Sequence, residues 1–243
     1  MYALRLLLQP TAGLTFRRVP FASTQMLTYP FAPAPTLSGY LERLARLRRG
    51  EDLPETALNE RTPPTIALPS AYRVLGAYPR DDAYRVHRTA RQGPRDLGHT
   101  AFSRIHRQDA RPNENFQLYA WEYLLVEQLV GWVVHPEKAA LDDLAETRNY
   151  GCKLGKEGFA YVADATVEEL TATTGGRPSV AVPAEAVGMA PATVYPAYRF
   201  DREGERITGY VPLRVALVDA PLATEGYATP AGDFLPTASI DYL

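Results

Sequence analysis

The chain has 243 residues, of which 46% are hydrophobic, and its 26 basic and 28 acidic residues leave a formal net charge of −2. This composition is typical of a folded protein with one large domain or two small ones. The charge excludes a general electrostatic attraction to nucleic acid. A site for a polyanion would therefore have to be a local patch of basic residues.

Cysteine content and the length of apolar runs bear on the cellular setting. Cys152 is the only cysteine, which excludes an internal disulfide and a zinc site built from several cysteines. No apolar run approaches the roughly 20 residues that span a bilayer, and the N-terminus does not resemble a signal peptide. We therefore expect a cytoplasmic protein without membrane contact.

The first two predicted elements are a strand over residues 2–9 and a helix over residues 37–49. Side chains alternate along the strand so that one face is wholly apolar. Along the helix, apolar residues recur at three- and four-residue spacing, which places them on one stripe. We expect Thr36 to cap the start of this helix and Gly50 to end it.

A basic loop precedes this helix and is the first candidate site. Arg17 and Arg18 stand beside Phe16 and Phe21, so the loop combines positive charge for phosphates with aromatic rings for stacking on bases. Several prolines between this loop and the helix exclude helical structure there. The alternative is an ordinary pair of solvated arginines.

After a predicted strand over residues 71–78, apolar periodicity disappears throughout residues 79–115. This segment contains eight arginines and three histidines. A stretch of this length without a core pattern is usually a functional excursion or a mobile loop. We interpret it as an arginine-rich arm or hairpin outside the core, with Arg104, Arg107 and Arg111 as candidate RNA contacts.

The same segment offers an acid–base alternative. Tyr84, His87 and His106 are the candidate catalytic residues for metal-independent cleavage of RNA, because histidine titrates near neutral pH. The other interpretation is a polar arm that contains histidines by composition. The histidines do not share a helix or strand with supporting carboxylates, so we predict no metal site.

Beyond the arm, residues 116–134 have strand composition with one turn near residues 127–128, and residues 136–148 favour a helix. Trp121, Tyr123 and Trp132 are expected in the core. A loop with alternating glycines and lysines follows the helix. Its members are Gly151, Lys153, Gly155, Lys156 and Gly158.

This glycine-lysine loop could bind a phosphate, since glycines let backbone N–H groups approach an anion and lysines supply charge. The spacing does not match the nucleotide-binding P-loop. The alternative is a glycine at a helix C-terminus followed by a tight turn with solvated lysines.

The last third of the chain is rich in proline. Its clearest feature is a hairpin of strands 192–200 and 206–218 that turns at residues 201–205. The order of elements over residues 1–174 suits an α+β, ferredoxin-like domain with helices on one face of an antiparallel sheet. Residues 175–243 would form a β-rich extension packed on the same domain.

Three passages resemble the CRISPR-associated RAMP protein of Cas family five. They are FRR with the following YPFAPAPTLSGYL, then EYLLVEQLVGWVVHPEKAALDDLA, then KLGKEGFAYV, and the resemblance spans about residues 1–165. It implies a ferredoxin-like (RRM-like) domain with an inserted thumb at about residues 79–115. It also implies that Arg17, Arg18, Ser23 and Thr24 contact RNA. The LGKEG passage is similar to the glycine-rich element of RAMP proteins, and the charges of its loop make Lys153 and Lys156 further candidate RNA contacts.

The function implied by this resemblance is that of a non-catalytic subunit of a type I surveillance (Cascade) complex in antiviral defence. Such a subunit binds the five-prime handle of the guide crRNA without a cofactor. Its neighbours would be the backbone and large subunits, with target DNA nearby in the complex. One branch of the family is itself the endonuclease that processes repeat RNA, using a tyrosine, a lysine and a histidine. Cleavage is therefore the alternative function.

Overall fold

A computed structural model of the protein describes residues 1–18, 25–53, 66–94 and 116–242, and these residues are mostly β-structure with three α-helices. The strands in chain order are β1 (Tyr2–Pro10), β2 (Gln25–Met26), β3 (Arg73–Pro79), β4 (Tyr84–Pro94), β5 (Phe116–Val126), β6 (Leu129–His135), β7 (Gly151–Lys153), β8 (Phe159–Glu169), β9 (Thr171–Gly176), β10 (Val182–Pro183), β11 (Ala192–Glu203), β12 (Arg206–Val218), β13 (Leu222–Ala228) and β14 (Phe234–Pro236). The helices are α1 (Ala34–Arg49), α2 (Lys138–Ala145) and α3 (Thr237–Tyr242), with short 3-10 turns at Arg80–Asp82 and Ala184–Ala186. None of the helices in the described ranges is long and apolar enough to cross a membrane.

A five-stranded antiparallel sheet forms the centre of the molecule, in the order β3-β6-β1-β8-β7. The predicted first strand is confirmed as β1, and its apolar face is fully buried at Leu4, Leu6 and Leu8. In sequence, α1 connects β1 to β3 and α2 connects β6 to β8. Both helices pack against this sheet.

Helix α1 begins earlier than its apolar pattern predicts. Its N-cap is Pro33 and no side chain caps it, so the prediction that Thr36 is the cap is wrong. A proline near the first helical position costs little because its fixed φ suits a helix and its missing N–H has no helical partner there. The predicted end is confirmed, since Gly50 adopts φ 69° and its N–H bonds to the carbonyls of Arg46 and Leu47.

The arginine-rich segment supplies one strand of a second sheet, ordered β2-β5-β4. Strands β4 and β5 pair with each other in antiparallel register over their whole length. The arm therefore consists of these two strands and extends beyond the predicted limit at residue 115. The predicted turn at residues 127–128 is confirmed, because β5 ends and β6 begins on either side of it. Trp132 of β6 is fully buried as predicted. In contrast, Trp121 and Tyr123 of β5 are only half-buried, so their assignment to the core is wrong.

Helix α2 is shorter than the predicted 136–148. It starts after Glu137, whose N–H donates to His135 Nδ1, and beyond Ala145 the chain continues as turns. Gly151 lies in strand β7 and does not end this helix. The helix-capping alternative for the glycine-lysine loop is therefore wrong.

The C-terminal third contributes two further three-stranded sheets, β10-β12-β11 and β14-β13-β9. The predicted hairpin is confirmed as β11 and β12, although β11 runs three residues beyond the predicted limit and the turn is at residues 204–205. Tyr195 and Ala197 of β11 and Val215 of β12 belong to the same core cluster as β1 and α1. This third thus packs directly on the central core.

Candidate nucleic-acid interface

The segment that leads into the basic loop is bonded on both sides. Leu14 and Leu124 of the arm exchange two backbone hydrogen bonds of 3.0 and 2.7 Å. On the other side, Thr15 N–H donates to the Glu157 carbonyl at 3.0 Å, and Lys156 N–H donates to the Thr15 carbonyl at 2.8 Å. The basic loop, the arm and the glycine-lysine loop therefore meet at one place.

Glu122 of the arm fixes the shape of this junction. Its carbonyl accepts the Thr15 hydroxyl at 2.8 Å, and its carboxylate accepts the backbone N–H of Thr28 at 3.1 Å. The Thr28 hydroxyl in turn accepts the N–H of Phe16 at 2.8 Å. Thr15, Thr28 and Phe16 are all almost fully buried. These hydrogen bonds satisfy polar groups of buried residues and fix the backbone at Thr15, Phe16 and Thr28.

The two predicted arginines follow directly from this fixed backbone. Both are half-buried, and Arg18 N–H donates to the Leu27 carbonyl at 3.0 Å. The Arg18 guanidinium carbon lies 5.0 Å from the centre of the Tyr195 ring, which is the geometry of a cation–π contact. The ring beside Arg18 thus comes from β11. Phe16, one of the two aromatic residues expected to stack on bases, is instead buried in the core with 2% exposure.

An aromatic cluster stands behind Arg18. Tyr29, Phe31, Tyr78 and Tyr195 have neighbouring ring centres 5.2 to 6.2 Å apart. Burial raises the pKa of the Tyr29 and Tyr195 hydroxyls, and the Arg18 charge opposes this effect only in part. Both tyrosines are therefore neutral at physiological pH. The cluster is a rigid apolar support that keeps Arg18 in place.

The glycines of the glycine-lysine loop allow close packing against the basic loop. Gly155 has φ 83°, and a Cβ there would lie 2.7 Å from the Thr15 carbonyl oxygen. Gly158 has φ 102°, and its Cβ would lie 2.5 Å from a methyl carbon of Leu14. The N–H groups of Leu154 and Lys156 are used in hydrogen bonds within the protein. These two groups are therefore not part of a phosphate cradle, in contrast to the expectation of backbone N–H groups directed at an anion.

The side chains of both predicted lysines nevertheless lie on the surface. Lys153 is exposed at the end of β7 and Lys156 is exposed in the loop. Because the backbone of Lys156 is bonded to Thr15, its charge belongs to the same region of the surface as Arg17 and Arg18. The loop can therefore act through its ammonium groups as point charges.

One face of the arm combines basic and aromatic residues. Residues directly opposite each other in an antiparallel pair point to the same face. The face that carries Tyr123 and Leu125 lies next to the segment before the basic loop, because a Cβ on Gly13 would lie 3.1 Å from Leu125 and 3.2 Å from Tyr123. The opposed pairs on it are Arg85 with Leu125, His87 with Tyr123, and Thr89 with Trp121.

Tyr84 and His87, two of the candidate catalytic residues, do not face each other. They are three residues apart on β4, so their side chains point to opposite faces of the strand. Tyr84 contributes to the electrostatics of Tyr195, whereas His87 lies on the basic and aromatic face. Within the described ranges no group of three His, Cys, Asp or Glu side chains could bind a metal ion.

The remaining predicted site residues lie outside the described residues. They are Phe21, Ser23, Thr24, Arg104, His106, Arg107 and Arg111. Sequence reasoning missed Tyr195 and Glu122. Tyr195 is far from Arg18 in the sequence, and only knowledge of how the C-terminal hairpin packs would have identified it. Glu122, whose backbone lies opposite Arg88 in the β4–β5 register, was missed because β5 was expected in the core.

Comparison with known proteins gives similarity at the level of solved structures. No family model matches the chain, and no curated protein matches it. A crystal structure of a CRISPR protein from Archaeoglobus fulgidus is similar, with 12% sequence identity, a TM-score of 0.49, and coverage of 97% of this chain and 99% of that chain. At that identity and score the similarity does not assign the chain to a family.

Proposed function

We propose that the protein is a non-catalytic, RNA-binding subunit of a type I CRISPR surveillance complex in the cytoplasm. In this proposal it binds and caps the five-prime handle of the crRNA. The observation that carries the proposal is that two predicted basic segments, the basic loop and the glycine-lysine loop, meet the arm, whose strand β4 belongs to the predicted arginine-rich segment. Arg17 and Arg18, the arm, and Lys156 lie around one junction, joined by backbone hydrogen bonds at Leu14 and Thr15.

The chemistry of these segments suits single-stranded RNA. Phosphate contacts from lysine and arginine supply most of the affinity for a nucleic acid, and a local patch can do this in a protein of net charge −2. Single-stranded bases are recognised when they are splayed out and stacked on aromatic or guanidinium groups. The arm places Arg85 and His87 opposite Leu125 and Tyr123 for this purpose.

The order of the central elements supports a ferredoxin-like assignment, which is part of the proposal. The sequence order is strand, helix, strand, strand, helix, strand, formed by β1, α1, β3, β6, α2 and β8. In the sheet these strands stand in the order β3-β6-β1-β8, so each crossover passes over one strand. This split arrangement is typical of ferredoxin-like domains. The arm is inserted between β3 and β6, where we place the thumb.

The proposal treats the protein as an assembly subunit without catalytic activity. The divergence of Tyr84 and His87 across β4 supports this part, because a general acid and base must reach the same phosphodiester. The backbone and large subunits would be its protein neighbours, and target DNA would lie nearby in the assembled complex.

The direct test is a double substitution, Arg17→Ala with Arg18→Ala, measured by fluorescence anisotropy with a labelled handle RNA. We expect affinity to fall about a hundredfold or more, because hydrogen bonds to charged groups contribute about 1.5–3 kcal/mol each and two arginines are removed. The slope of log affinity against log salt should become shallower by about 1.4, at roughly 0.7 for each lost phosphate contact on a single strand.

A matched control is Arg148→Ala, which removes an exposed arginine paired with Asp164 at 3.6 Å beyond the end of α2. This control should bind the RNA like the wild type. Thermal melts must show that the double variant is folded. If the folded double variant retains wild-type affinity and an unchanged salt slope, the two arginines are not at the RNA site.

A further inference from the structure

A second basic region lies away from the junction described above, in a cavity of about 130 Å³. The cavity is bounded by the first turns of α1, the start of β3, strand β11 and helix α3. Three arginines and one aspartate line it, namely Arg73, Arg199, Arg202 and Asp241. The lining is therefore positively charged in a protein whose formal net charge is negative.

Two of the three arginines have no carboxylate partner among the residues that the structure describes. Within the described part of the chain, neither Arg73 nor Arg199 forms an ion pair, and Asp241 is not within 4 Å of either guanidinium. Arg199 makes one hydrogen bond, from Nη1 to the carbonyl of Tyr242 at 3.3 Å. A guanidinium has five N–H donors, so most of those on Arg199 are available to a ligand.

The third arginine is part of the fixed wall. Arg202 donates from Nη2 to the Leu68 carbonyl at 2.8 Å, lies 3.6 Å from the Glu205 carboxylate and stacks at 5.3 Å over Phe200. These contacts hold its charge in one position at the cavity. A bound anion would therefore find the Arg202 guanidinium already in position, and this side chain would not have to move on binding.

The N-terminus of α1 adds to the positive character of the cavity. Ala34, Pro35 and Ser38 form part of its wall. The first turn of α1 contains no acidic residue, and the N-cap Pro33 makes no side-chain capping bond. The positive end of the helix dipole is therefore uncompensated within the helix. Helix end and arginines together favour an anion in the same space.

We propose that this cavity is a binding site for a phosphate group, either inorganic phosphate or the phosphate of a small monoester. Its volume is several times that of one water but well below the roughly 300–1,000 Å³ of pockets for larger organic ligands. Planar guanidinium groups match the oxygens of a phosphate through paired hydrogen bonds. Asp241 opposes the bound charge and limits the affinity. The site is separate from the proposed RNA interface and does not rest on it.

The test is isothermal titration calorimetry of the whole chain with inorganic phosphate and, separately, with methyl phosphate, at ionic strength held constant with sodium chloride. Both ligands should bind saturably if the site takes the phosphate group. Tighter binding of methyl phosphate would identify a monoester as the ligand. Tighter binding of inorganic phosphate would identify the free ion.

Variants connect the binding to this cavity. Arg73→Gln and Arg199→Gln should each weaken phosphate binding about tenfold or more. Asp241→Asn should tighten it, and the control Arg148→Gln, at a residue that does not line the cavity, should leave it unchanged. The proposal would be overturned if the wild type gave no binding heat with phosphate, or if titration with chloride gave the same heat. It would also be overturned if Arg73→Gln, Arg199→Gln and Asp241→Asn all left the phosphate affinity unchanged. Retained RNA binding in these cavity variants would show that the two sites are independent.

Discussion

Substitution of one glycine should separate the two loops that meet at the junction. In Gly155→Ala the new Cβ would lie 2.7 Å from the Thr15 carbonyl oxygen and 2.9 Å from the Phe16 ring, on a residue with φ 83°. The positive φ costs about 1–2 kcal/mol for a residue with a Cβ. Overpacking against a buried backbone costs about 1–3 kcal/mol more. We therefore expect a loss of about 3 kcal/mol in unfolding free energy.

Gly188→Ala is the matched control. Gly188 also has a positive φ, 61°, but a Cβ there would meet nothing within 4 Å. It should lose only the conformational part, about 1–2 kcal/mol. At about 2–4 °C per kcal/mol for a chain of this size, Gly155→Ala should lower Tm by about 6–12 °C and the control by about half as much.

The assay is differential scanning calorimetry of both variants beside the wild type, followed by handle-RNA binding at a temperature where all three are folded. Gly155→Ala should also weaken RNA binding, because the collision displaces the backbone that positions Arg17 and Arg18. Equal Tm losses in the two variants would refute the close packing of the glycine-lysine loop against Thr15. Unchanged RNA affinity in Gly155→Ala would refute the connection between this packing and the interface.

Two further predictions concern stability. Glu122→Ala leaves the buried N–H of Thr28 without its acceptor and should cost about 1–3 kcal/mol, whereas Glu122→Gln, which keeps an acceptor oxygen, should recover most of the loss in urea denaturation. Burial raises the pKa of Glu168, and this effect is opposed by Arg5 and increased by Asp233. A carboxyl with a raised folded-state pKa destabilises the protein as pH rises through that pKa. Glu168→Gln should therefore be more stable than wild type at neutral pH, and this advantage should vanish as pH falls below the ordinary carboxyl range; a constant difference across pH would contradict the assignment.

The central elements were predictable because their patterns reflect burial directly. The wholly apolar face of β1 is the buried face, and Leu37, Leu41 and Leu44 lie on the buried stripe of α1. The prediction fails at Leu47, the last leucine of the pattern, which is 40% exposed. The end of α1 followed from Gly50, since glycine is the residue that most readily adopts the left-handed conformation required there. The start of α1 was mislocated because an apolar pattern does not include prolines, which are acceptable in a first turn.

The arm shows where sequence patterns stop being informative. Strand β5 has the aromatic and β-branched composition of a core strand, yet it pairs with the arginine-rich β4, and only Leu124 among its residues with described side chains is fully buried. Strand composition indicates that a segment is extended but does not identify the strand with which it pairs. The predicted end of the arginine-rich excursion, residue 115, therefore comes before the observed end of the arm at Val126.

The charged residues of the candidate interface could be predicted from the sequence, but the residues that hold them in position could not. Arg17, Arg18, Lys153 and Lys156 could be selected from local sequence alone. Tyr195 packs beside Arg18 through a contact that spans most of the chain, and no local spacing encodes such a contact. The glycines of the glycine-lysine loop were correctly interpreted as positions of close approach. However, Gly155 and Gly158 allow close approach of the protein's own backbone and side chains, whereas an anion had been expected.

The most direct test of the proposed function is sequencing of the RNA that co-purifies with the protein and its neighbouring subunits under mild salt. We predict short RNAs that share one repeat-derived five-prime sequence, with loss of this RNA when Arg17 and Arg18 are both replaced by alanine. A preparation without nucleic acid, or with RNA of no common five-prime sequence, would contradict the proposed handle-binding role.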